Sequence, residues 1–273
     1  ILKTLNQFPH LKSWMEYIMS LKRFDSNNYI FNHENRQLGI YLIHGFSSTT
    51  YEMNKLMIYL SKLGYQVRAD NLPGHATTVD DCNNTTYEEW ISFVERKVAE
   101  MYTSCKKVIV IGVSMGGSLA LHLAAVFPLD GVVAASCIFQ FKNEFNVRIL
   151  TRLFHRLKPK INKGTTFAPD QLKAKKLLFY GYQTYPLIAV NEMRKMVDRI
   201  KMNLFKIKNP VLLIHSKNDS TAPFNNFHIV KNKIDNKYLS LLILEKSIHN
   251  IFDDNVEEQK IQNTLLNFIK GIE

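Results

Sequence analysis

Short runs of β-branched and other apolar residues alternate with longer stretches in which apolar residues recur at helical spacing. The short runs predict strands at 29–31, 38–43, 65–69, 107–111, 131–136, 211–215 and 238–244. The longer stretches predict helices at 50–63, 86–102, 115–127, 223–234 and 256–270. Strands that alternate with helices indicate an α/β fold, with a mostly parallel sheet that helices cover on both faces.

The alternation stops between residues 139 and 206, where the pattern predicts helices and no strands. In the first of these helices, one face carries Leu150, Leu153, Phe154 and Leu157, and the other carries Arg148, Arg152 and Arg156. Pro169 and Asp170 would open a second helix, and residues 186–204 would form a third. We therefore expect a core of residues 37–138 and 207–273, with residues 139–206 inserted over the strand ends.

Residues 1–36 form a lead-in to this core. Their apolar stripe at helical spacing consists of Leu11, Trp14, Met15 and Ile18. Such a stripe is typical either of a helix docked on the protein body or of an anchor at a membrane interface, and we expect docking. No apolar run reaches transmembrane length. Because the first residue is Ile1 and not a methionine, a preceding leader and export stay open.

The net charge of +11 comes from 35 Lys and Arg residues against 24 Asp and Glu residues. Residues 139–208 hold 16 of the basic residues but only 4 of the acidic ones, so the excess belongs to the insertion. A local excess argues against nucleic acid as a partner. Two interpretations of the arginine face remain: a contact with an anionic surface, either a weak one with a lipid interface or one with a negatively charged substrate, or an ordinary solvated face.

The three cysteines, Cys82, Cys105 and Cys137, are scattered and form no CxxC pair. Their number and spacing predict neither a disulfide framework nor a zinc site, and they favour a reducing, cytoplasmic setting. The sequence also contains no metal-ligand cluster, no dinucleotide-binding fingerprint and no phosphate loop. We therefore expect no cofactor and no metal.

The strand predicted at 107–111 leads directly into Gly112-Val113-Ser114-Met115-Gly116-Gly117, and a helical pattern follows. A serine between a strand and a helix lies on a sharp turn that exposes its hydroxyl group, and the turn leaves no room for side chains at the flanking glycines. A glycine-rich turn of another α/β protein would give the same pattern. We predict that Ser114 is a nucleophile.

A serine nucleophile needs a base, and the base needs a carboxylate that orients it. Only His44, His215 and His249 directly follow predicted strands, where the groups of a parallel sheet meet at one edge. Asp219 and His249 lie on consecutive strand-end loops downstream of Ser114, in the order Ser…Asp…His expected of such a site. We predict that Asp219 is the orienting acid and His249 the base.

A His-Gly turn at 44–45 ends the first long strand. This turn would place the N–H group of Phe46 opposite that of Met115, the residue after the nucleophile. Two such donors can hold the oxyanion of a tetrahedral intermediate. We therefore predict that Phe46 and Met115 form an oxyanion hole.

Five motifs together resemble the α/β-hydrolase superfamily, most closely its bacterial carboxylesterase and monoacylglycerol-lipase branch. They are Leu42-Ile43-His44-Gly45-Phe46, Leu72-Pro73-Gly74-His75, the Ser114 turn, Asp219 and Ser247-Ile248-His249. The resemblance implies a serine ester hydrolase with a small helical cap after the sixth strand, and a structural role for His75. Haloalkane dehalogenases and epoxide hydrolases are excluded because they carry aspartate at the position of Ser114. Ala76 and Ile248 depart from the family pattern, which usually has glycine at both positions.

We interpret the chain as a carboxylesterase that cleaves small-molecule esters through an acyl-enzyme. By resemblance, its substrates are short- to medium-chain acyl esters or monoacylglycerols. The cap would line an apolar acyl pocket through Phe139, Phe141 and the apolar faces of its helices. Two alternatives remain: a thioesterase or acyltransferase with the same triad, and a ligand-binding receptor on a hydrolase fold. The sequence leaves the oligomeric state undetermined.

Overall fold

The computed structural model of this protein describes residues 24–32, 37–163, 180–253 and 256–273. The described strands, in chain order, are β1 (Tyr29–Phe31), β2 (Leu38–Ile43), β3 (Gln66–Ala69), β4 (Lys107–Val113), β5 (Gly131–Ala135), β6 (Lys160–Asn162), β7 (Thr184–Pro186), β8 (Val211–Ser216) and β9 (Leu239–Leu244). The central sheet has the order β1-β3-β2-β4-β5-β8-β9. All its neighbouring strands run parallel except β1, which pairs antiparallel with β3. The predicted mostly parallel sheet is confirmed.

Helices cover both faces of this sheet. They are α1 (Asn54–Lys62), α2 (Val79–Asn84), α3 (Tyr87–Tyr102), α4 (Met115–Val126), α5 (Leu187–Asn203), α6 (Asn225–Lys231) and α7 (Glu258–Lys270). Strands β2, β5 and β8 are buried along their whole length, as uninterrupted apolar runs in a parallel sheet require. One core cluster includes apolar residues of α3, α4 and α5, and a second includes those of α1 and α7.

Local sequence signals explain where several helices begin. The side chains of Thr78 and Thr86 accept a hydrogen bond from the third helical N–H of α2 and α3, and the acidic side chain at that position accepts one from the threonine N–H. Such capping boxes fix a helix start. Helix α4 instead begins directly behind Ser114, so the turn at the end of β4 sets its position. The sequence analysis missed α2, which is only six residues long.

The insertion differs from its prediction in two respects. Its first helix consists of a π-helical stretch, Asn146–Thr151, and a short α-helical stretch, Arg152–Phe154, which we call together the 146–154 helix. The prediction that the insertion lacks strands is wrong, because β6 and β7 pair antiparallel. The third predicted helix is α5, whereas the second, at Pro169 and Asp170, lies outside the described residues. Within the described residues the insertion follows β5, and its place after the sixth strand of the family pattern stays a prediction.

The 146–154 helix exposes apolar side chains that the sequence analysis expected to line a pocket. Its exposed large apolar residues, with those on either side of it, are Phe145, Ile149, Leu150, Leu153, Phe154 and Leu157. A π-helical stretch has more residues per turn than an α-helix, so the 3.6-residue pattern does not assign its faces correctly. Arg148 is part-buried: it forms ion pairs with Glu144 and with Asp198 of α5.

The insertion contacts the core at the loop after β2. The backbone N–H of Tyr182 donates to the Ser47 carbonyl (2.9 Å), and the Thr49 hydroxyl donates to the Tyr180 carbonyl (2.9 Å). A Cβ atom on Gly181 would lie 1.9 Å from the Ser47 carbonyl oxygen, so only glycine permits this close approach. The loop after β2 is therefore fixed from the insertion side.

Among the described residues, no helix is long and apolar enough to cross a membrane. The apolar stripe at Leu11 to Ile18 lies outside the described residues. The domain boundaries given above remain predictions.

Candidate active site

Ser114 lies on a strained turn between β4 and α4. Its φ of 58° is in the left-handed region that a residue with a side chain rarely adopts. A Cβ atom on Gly112 would lie 2.0 Å from the Gly116 carbonyl oxygen, and one on Gly116 would lie 2.2 Å from that of Ile43. The glycines on either side are thus required by close backbone contacts. The first turn of α4 packs against the end of β2 at Gly116.

His249 and Asp219 form a buried hydrogen-bonded pair at the same edge of the sheet. His249 Nδ1 donates to Asp219 Oδ2 over 2.8 Å, which leaves Nε2 as the proton acceptor. Asp219 Oδ1 accepts two further hydrogen bonds, from the N–H groups of Thr221 and Ala222, both at 2.8 Å. The carboxylate is therefore held in one orientation. No hydrogen bond joins Ser114 to His249 among the described residues; such contacts often form only with substrate bound.

The two groups change each other's pKa. Burial acts to lower the pKa of His249. The pKa nevertheless lies above its ordinary value of 6.5, because Asp219 raises it through its charge and its hydrogen bond to His249, and the Glu52 carboxylate raises it further. Burial acts to raise the pKa of Asp219, but His249 and His215 hold it below its usual value. The pair thus favours a protonated imidazole beside a charged carboxylate, the arrangement that a general base needs after it accepts a proton.

The loop that carries His249 is anchored at its start. The Glu257 carboxylate accepts hydrogen bonds from the backbone N–H groups of residues 245, 246 and 247 and from the Ser247 hydroxyl. Burial acts against ionisation of this carboxyl group, but Ser247 and the three N–H groups lower its pKa to about 2. The Ser216 hydroxyl at the end of β8 donates to the Ser247 carbonyl.

The two departures from the family pattern have different consequences. Ile248 is absent from the residues with positive φ in the described chain, so its backbone does not require glycine. Ala76, in contrast, has a φ of 59°, where glycine would be less strained.

The predicted oxyanion donors lie on the two segments that meet at Ser114. A Cβ atom on Gly45 would lie 3.1 Å from Ser114 Cβ, so the turn before Phe46 contacts the nucleophile residue. Met115 is the first residue of α4, and its N–H has no acceptor within the helix. Neither N–H group donates a hydrogen bond to any residue in the described ranges. The role of these two backbone donors in holding an oxyanion stays a prediction.

The two other strand-end histidines, His44 and His215, have structural contacts, and so does His75 in the loop after β3. His44 Nε2 accepts the Leu72 N–H (3.0 Å) and Nδ1 donates to the Gly45 carbonyl (2.8 Å), and burial lowers the pKa of His44 to about 4. His75 Nδ1 donates to the Pro73 carbonyl, and burial and the neighbouring His44 lower its pKa to about 3. His215 Nε2 donates to the Ala222 carbonyl (3.0 Å) behind Asp219. All three remain neutral near pH 7.

Phe139 and Phe141 follow β5 at the start of the insertion and belong to one of the two core clusters. The Phe139 N–H donates to the Asn226 side chain (2.7 Å), and the Phe141 N–H donates to Glu144 (2.6 Å). Both rings are buried. Their role in binding an acyl chain remains a prediction. In the described part of the chain, no three His, Cys, Asp or Glu residues are grouped so as to hold a metal ion.

Comparison with known proteins identifies the family. The model of the serine aminopeptidase family S33 matches residues 34–256 of this chain. The chain belongs to this family of α/β-hydrolases. The turn of Ser114, the pair of Asp219 and His249, and the β2 loop all lie within the matched range.

Two curated relatives of the family cover most of the chain. A thermostable monoacylglycerol lipase of Bacillus sp. (strain H-257) is 26% identical over 248 residues, which are 87% of this chain and 92% of the lipase. A carboxylesterase of Bacillus subtilis (strain 168) is 22% identical over 238 residues, 86% of this chain and 93% of the esterase.

Solved structures show the same fold. A chain described among the metagenome-derived lipolytic enzymes LipS and LipT superposes with a TM-score of 0.80 at 23% identity, covering 90% of this chain and 98% of its own. The monoacylglycerol lipase of Paleococcus ferrophilus gives a TM-score of 0.76 at 20% identity, covering 91% of this chain and 100% of its own. The α/β-hydrolase fold predicted from the motifs is therefore confirmed.

Proposed function

We propose that this chain is a serine carboxylic-ester hydrolase. The observation that carries the proposal is the buried His249–Asp219 pair, which lies, like the strained Ser114 turn, in loops that follow strands of the same parallel sheet. The names of the two Bacillus relatives, a monoacylglycerol lipase and a carboxylesterase, support ester hydrolysis over the other reactions of this family.

In the proposed reaction, Ser114 Oγ attacks the ester carbonyl carbon while His249 Nε2 takes the hydroxyl proton. The carbonyl oxygen becomes an oxyanion, held by the N–H groups of Phe46 and Met115. The intermediate collapses, the bond to the alcohol oxygen breaks, and His249 gives its proton to that oxygen. Water then attacks the acyl-enzyme with His249 again as the base, which releases the acid and restores the serine.

The substrates we propose are esters of short- to medium-chain acids or monoacylglycerols. Phe139 and Phe141 would contribute apolar surface for the acyl chain, because they lead from β5 into the insertion above the strand ends. The partner of the protein is then a small-molecule ester, and the reaction itself requires neither metal nor cofactor.

A panel of p-nitrophenyl esters of increasing chain length tests the proposal, with Ser114→Ala as the matched control. We expect the wild-type protein to hydrolyse these esters, and we expect Ser114→Ala to hydrolyse them several orders of magnitude more slowly. Coenzyme A thioesters in the same panel test the thioesterase alternative. Binding of these compounds without turnover would contradict the proposal and favour a receptor.

A further inference from the structure

Glu52 is a buried carboxylate that the reaction above does not use. It lies on the 3₁₀ turn Thr50–Met53 behind the β2 loop, and only 5% of it is exposed. Its Oε2 accepts the Gly45 N–H at 2.6 Å, and its Oε1 accepts the Tyr180 hydroxyl at 3.1 Å. A carboxylate this deeply buried is unfavourable unless charges or hydrogen bonds compensate, so its position needs an explanation.

The location of Glu52 is close to the nucleophile. A Cβ atom on Gly45 would lie 3.1 Å from Glu52 Oε2 and also 3.1 Å from Ser114 Cβ. The carboxylate and the serine residue therefore both lie against the same side of Gly45. The hydrogen bond to the Gly45 N–H also fixes the turn immediately before Phe46, whose N–H is a proposed oxyanion donor.

Charges of both signs face this region. His249, from the loop after β9, attracts the Glu52 carboxylate, while Asp219 and His215 face His249 from the β8 side. From the insertion, Tyr180 and Lys163 face Glu52. Burial raises the pKa of Glu52, and the Gly45 N–H and His249 partly offset this rise. Burial lowers the pKa of His249, and Glu52 opposes that effect together with Asp219.

We propose that Glu52 is a positioning residue of the proposed hydrolysis, acting as a second carboxylate behind the catalytic centre. It fixes the Gly45–Phe46 turn through the Gly45 N–H, and its negative charge stabilises the imidazolium of His249 that forms when Ser114 loses its proton. This inference rests on the proposed function.

The substitution Glu52→Gln removes the negative charge of this side chain but preserves its shape and its hydrogen bonds. Glutamine has nearly the same shape, its carbonyl oxygen can accept the Gly45 N–H, and its amide can donate to the Tyr180 oxygen. Because the anion near His249 is gone, we expect the acid limb of the kcat/KM profile to move to lower pH by about half a unit or more. We also expect kcat on the plateau to fall about threefold to tenfold.

Glu95→Gln is the matched control, because it makes the same chemical change on α3, where Glu95 pairs with His122 at 2.8 Å. We expect this variant to keep the wild-type acid limb. Glu52→Asp, a second variant, retains the charge but shortens the side chain, so kcat should fall while the acid limb stays near its wild-type position.

Proton NMR titration of His249, assigned with His249→Asn, provides a readout that needs no ester turnover. A lower His249 midpoint in Glu52→Gln than in the wild type and in Glu95→Gln would support the inference. An unchanged His249 midpoint in Glu52→Gln would overturn the inference, provided that this variant unfolds cooperatively on heating and is therefore folded. If the wild-type protein hydrolyses no ester, the proposed function fails, and the NMR midpoints still decide whether Glu52 acts on His249. If Glu52→Gln does not fold, a His249 midpoint in Glu52→Asp well below that of the wild type would overturn the role of charge, because this variant keeps the carboxylate.

Discussion

At the scale of single residues, the candidate site depends on a few side chains held by short hydrogen bonds. Asp219 shows this best: all its hydrogen-bond partners, His249 on one oxygen and two backbone N–H groups on the other, lie at 2.8 Å. Asp235, in contrast, caps the 3₁₀ turn Asn236–Tyr238 by accepting the Lys237 N–H. The two aspartates are therefore good test and control positions.

We expect Asp219→Asn to lower kcat/KM for a p-nitrophenyl ester by roughly 10³- to 10⁴-fold, because the amide favours the wrong histidine tautomer and cannot stabilise the imidazolium. Asp235→Asn and Asp253→Asn should keep nearly full activity. A severe loss in either control, together with an active Asp219→Asn protein, would show that the acid has been assigned to the wrong residue.

The pKa of His249 gives a second prediction at this scale. The base must be neutral to accept the serine proton, so kcat/KM should fall as the pH is lowered through the pKa of His249. Because Asp219 and Glu52 raise that pKa, the midpoint of the acid limb should lie above 6.5. A pH profile of kcat/KM measures it. A midpoint well below 6.5 would contradict the described charge environment.

The sequence predicts Ser114, Asp219 and His249 as nucleophile, acid and base because each follows a strand, and parallel strands end at one edge. It missed Glu52 because no motif marks a lone glutamate in a turn; its importance comes from the Gly45 and Tyr180 contacts, which only the folded chain creates.

At the scale of elements, the sequence pattern predicted the long strands and helices and the three-residue strand β1, but not α2, β6 or β7. Strands β6 and β7 have three residues each, too few for a period-2 pattern to be distinguished from chance. Their pairing is set by tertiary contacts of the insertion with the core. The π-helical stretch at Asn146–Thr151 likewise has no signature in a pattern built on 3.6 residues per turn.

The insertion and the core meet at Lys163, which follows β6. Its Nζ donates to the Ser47 hydroxyl (2.6 Å) and lies 4.8 Å from the centre of the Tyr185 ring. Burial lowers the pKa of Lys163 from 10.5 to about 7. Between these two pH values the unfolded chain holds a proton that the folded protein lacks, so this residue makes the free energy of unfolding rise with pH across that window.

We therefore expect Lys163→Met to remove this pH dependence. The free energy of unfolding of the wild type relative to the variant should increase from about pH 7 towards pH 10, as measured by urea unfolding. Lys160→Met, at an exposed residue that pairs with Asp80, is the control and should show no such trend. A difference that is constant with pH would mean that Lys163 keeps its ordinary pKa in the folded protein.

At the scale of the whole molecule, backbone strain and charge are both distributed unevenly. The described residues other than glycine with positive φ are Ser47, Ala76, Ser114 and Ser136. Each lies at or beyond the carboxyl end of one of the strands β2 to β5, so strain is concentrated at the edge of the sheet that carries the candidate site. This concentration supports that edge as the functional one.

The charge excess lies in the insertion, where Arg152 and Arg156 are exposed beside exposed leucine and phenylalanine side chains. Arg148 contributes less to this surface because two acidic residues pair with it. Apolar and basic side chains together are typical of helices that lie on anionic lipid surfaces. The contact with a lipid interface therefore remains a proposal, and the exposed apolar residues favour it over a merely solvated face.

We expect the protein to bind vesicles that contain phosphatidylglycerol more tightly than vesicles of phosphatidylcholine alone. Co-sedimentation should show that binding weakens towards 1 M salt, where the Debye length is about 3 Å, and in the double variant Arg152→Gln, Arg156→Gln. Arg148→Gln should bind nearly as the wild type does. Equal binding to both kinds of vesicle at all salt concentrations would identify the basic face as ordinary solvated surface.

The central claim is that Ser114 attacks an ester with the help of His249, and covalent labelling tests it most directly. After incubation with a fluorophosphonate, peptide mapping by mass spectrometry should find one adduct per chain, on Ser114. Labelling should be lost in Ser114→Ala, whose circular dichroism spectrum should match that of the wild type. In His249→Asn, labelling should be much slower than in the wild type. An adduct on another serine, or undiminished labelling and ester turnover in Ser114→Ala, would contradict the account.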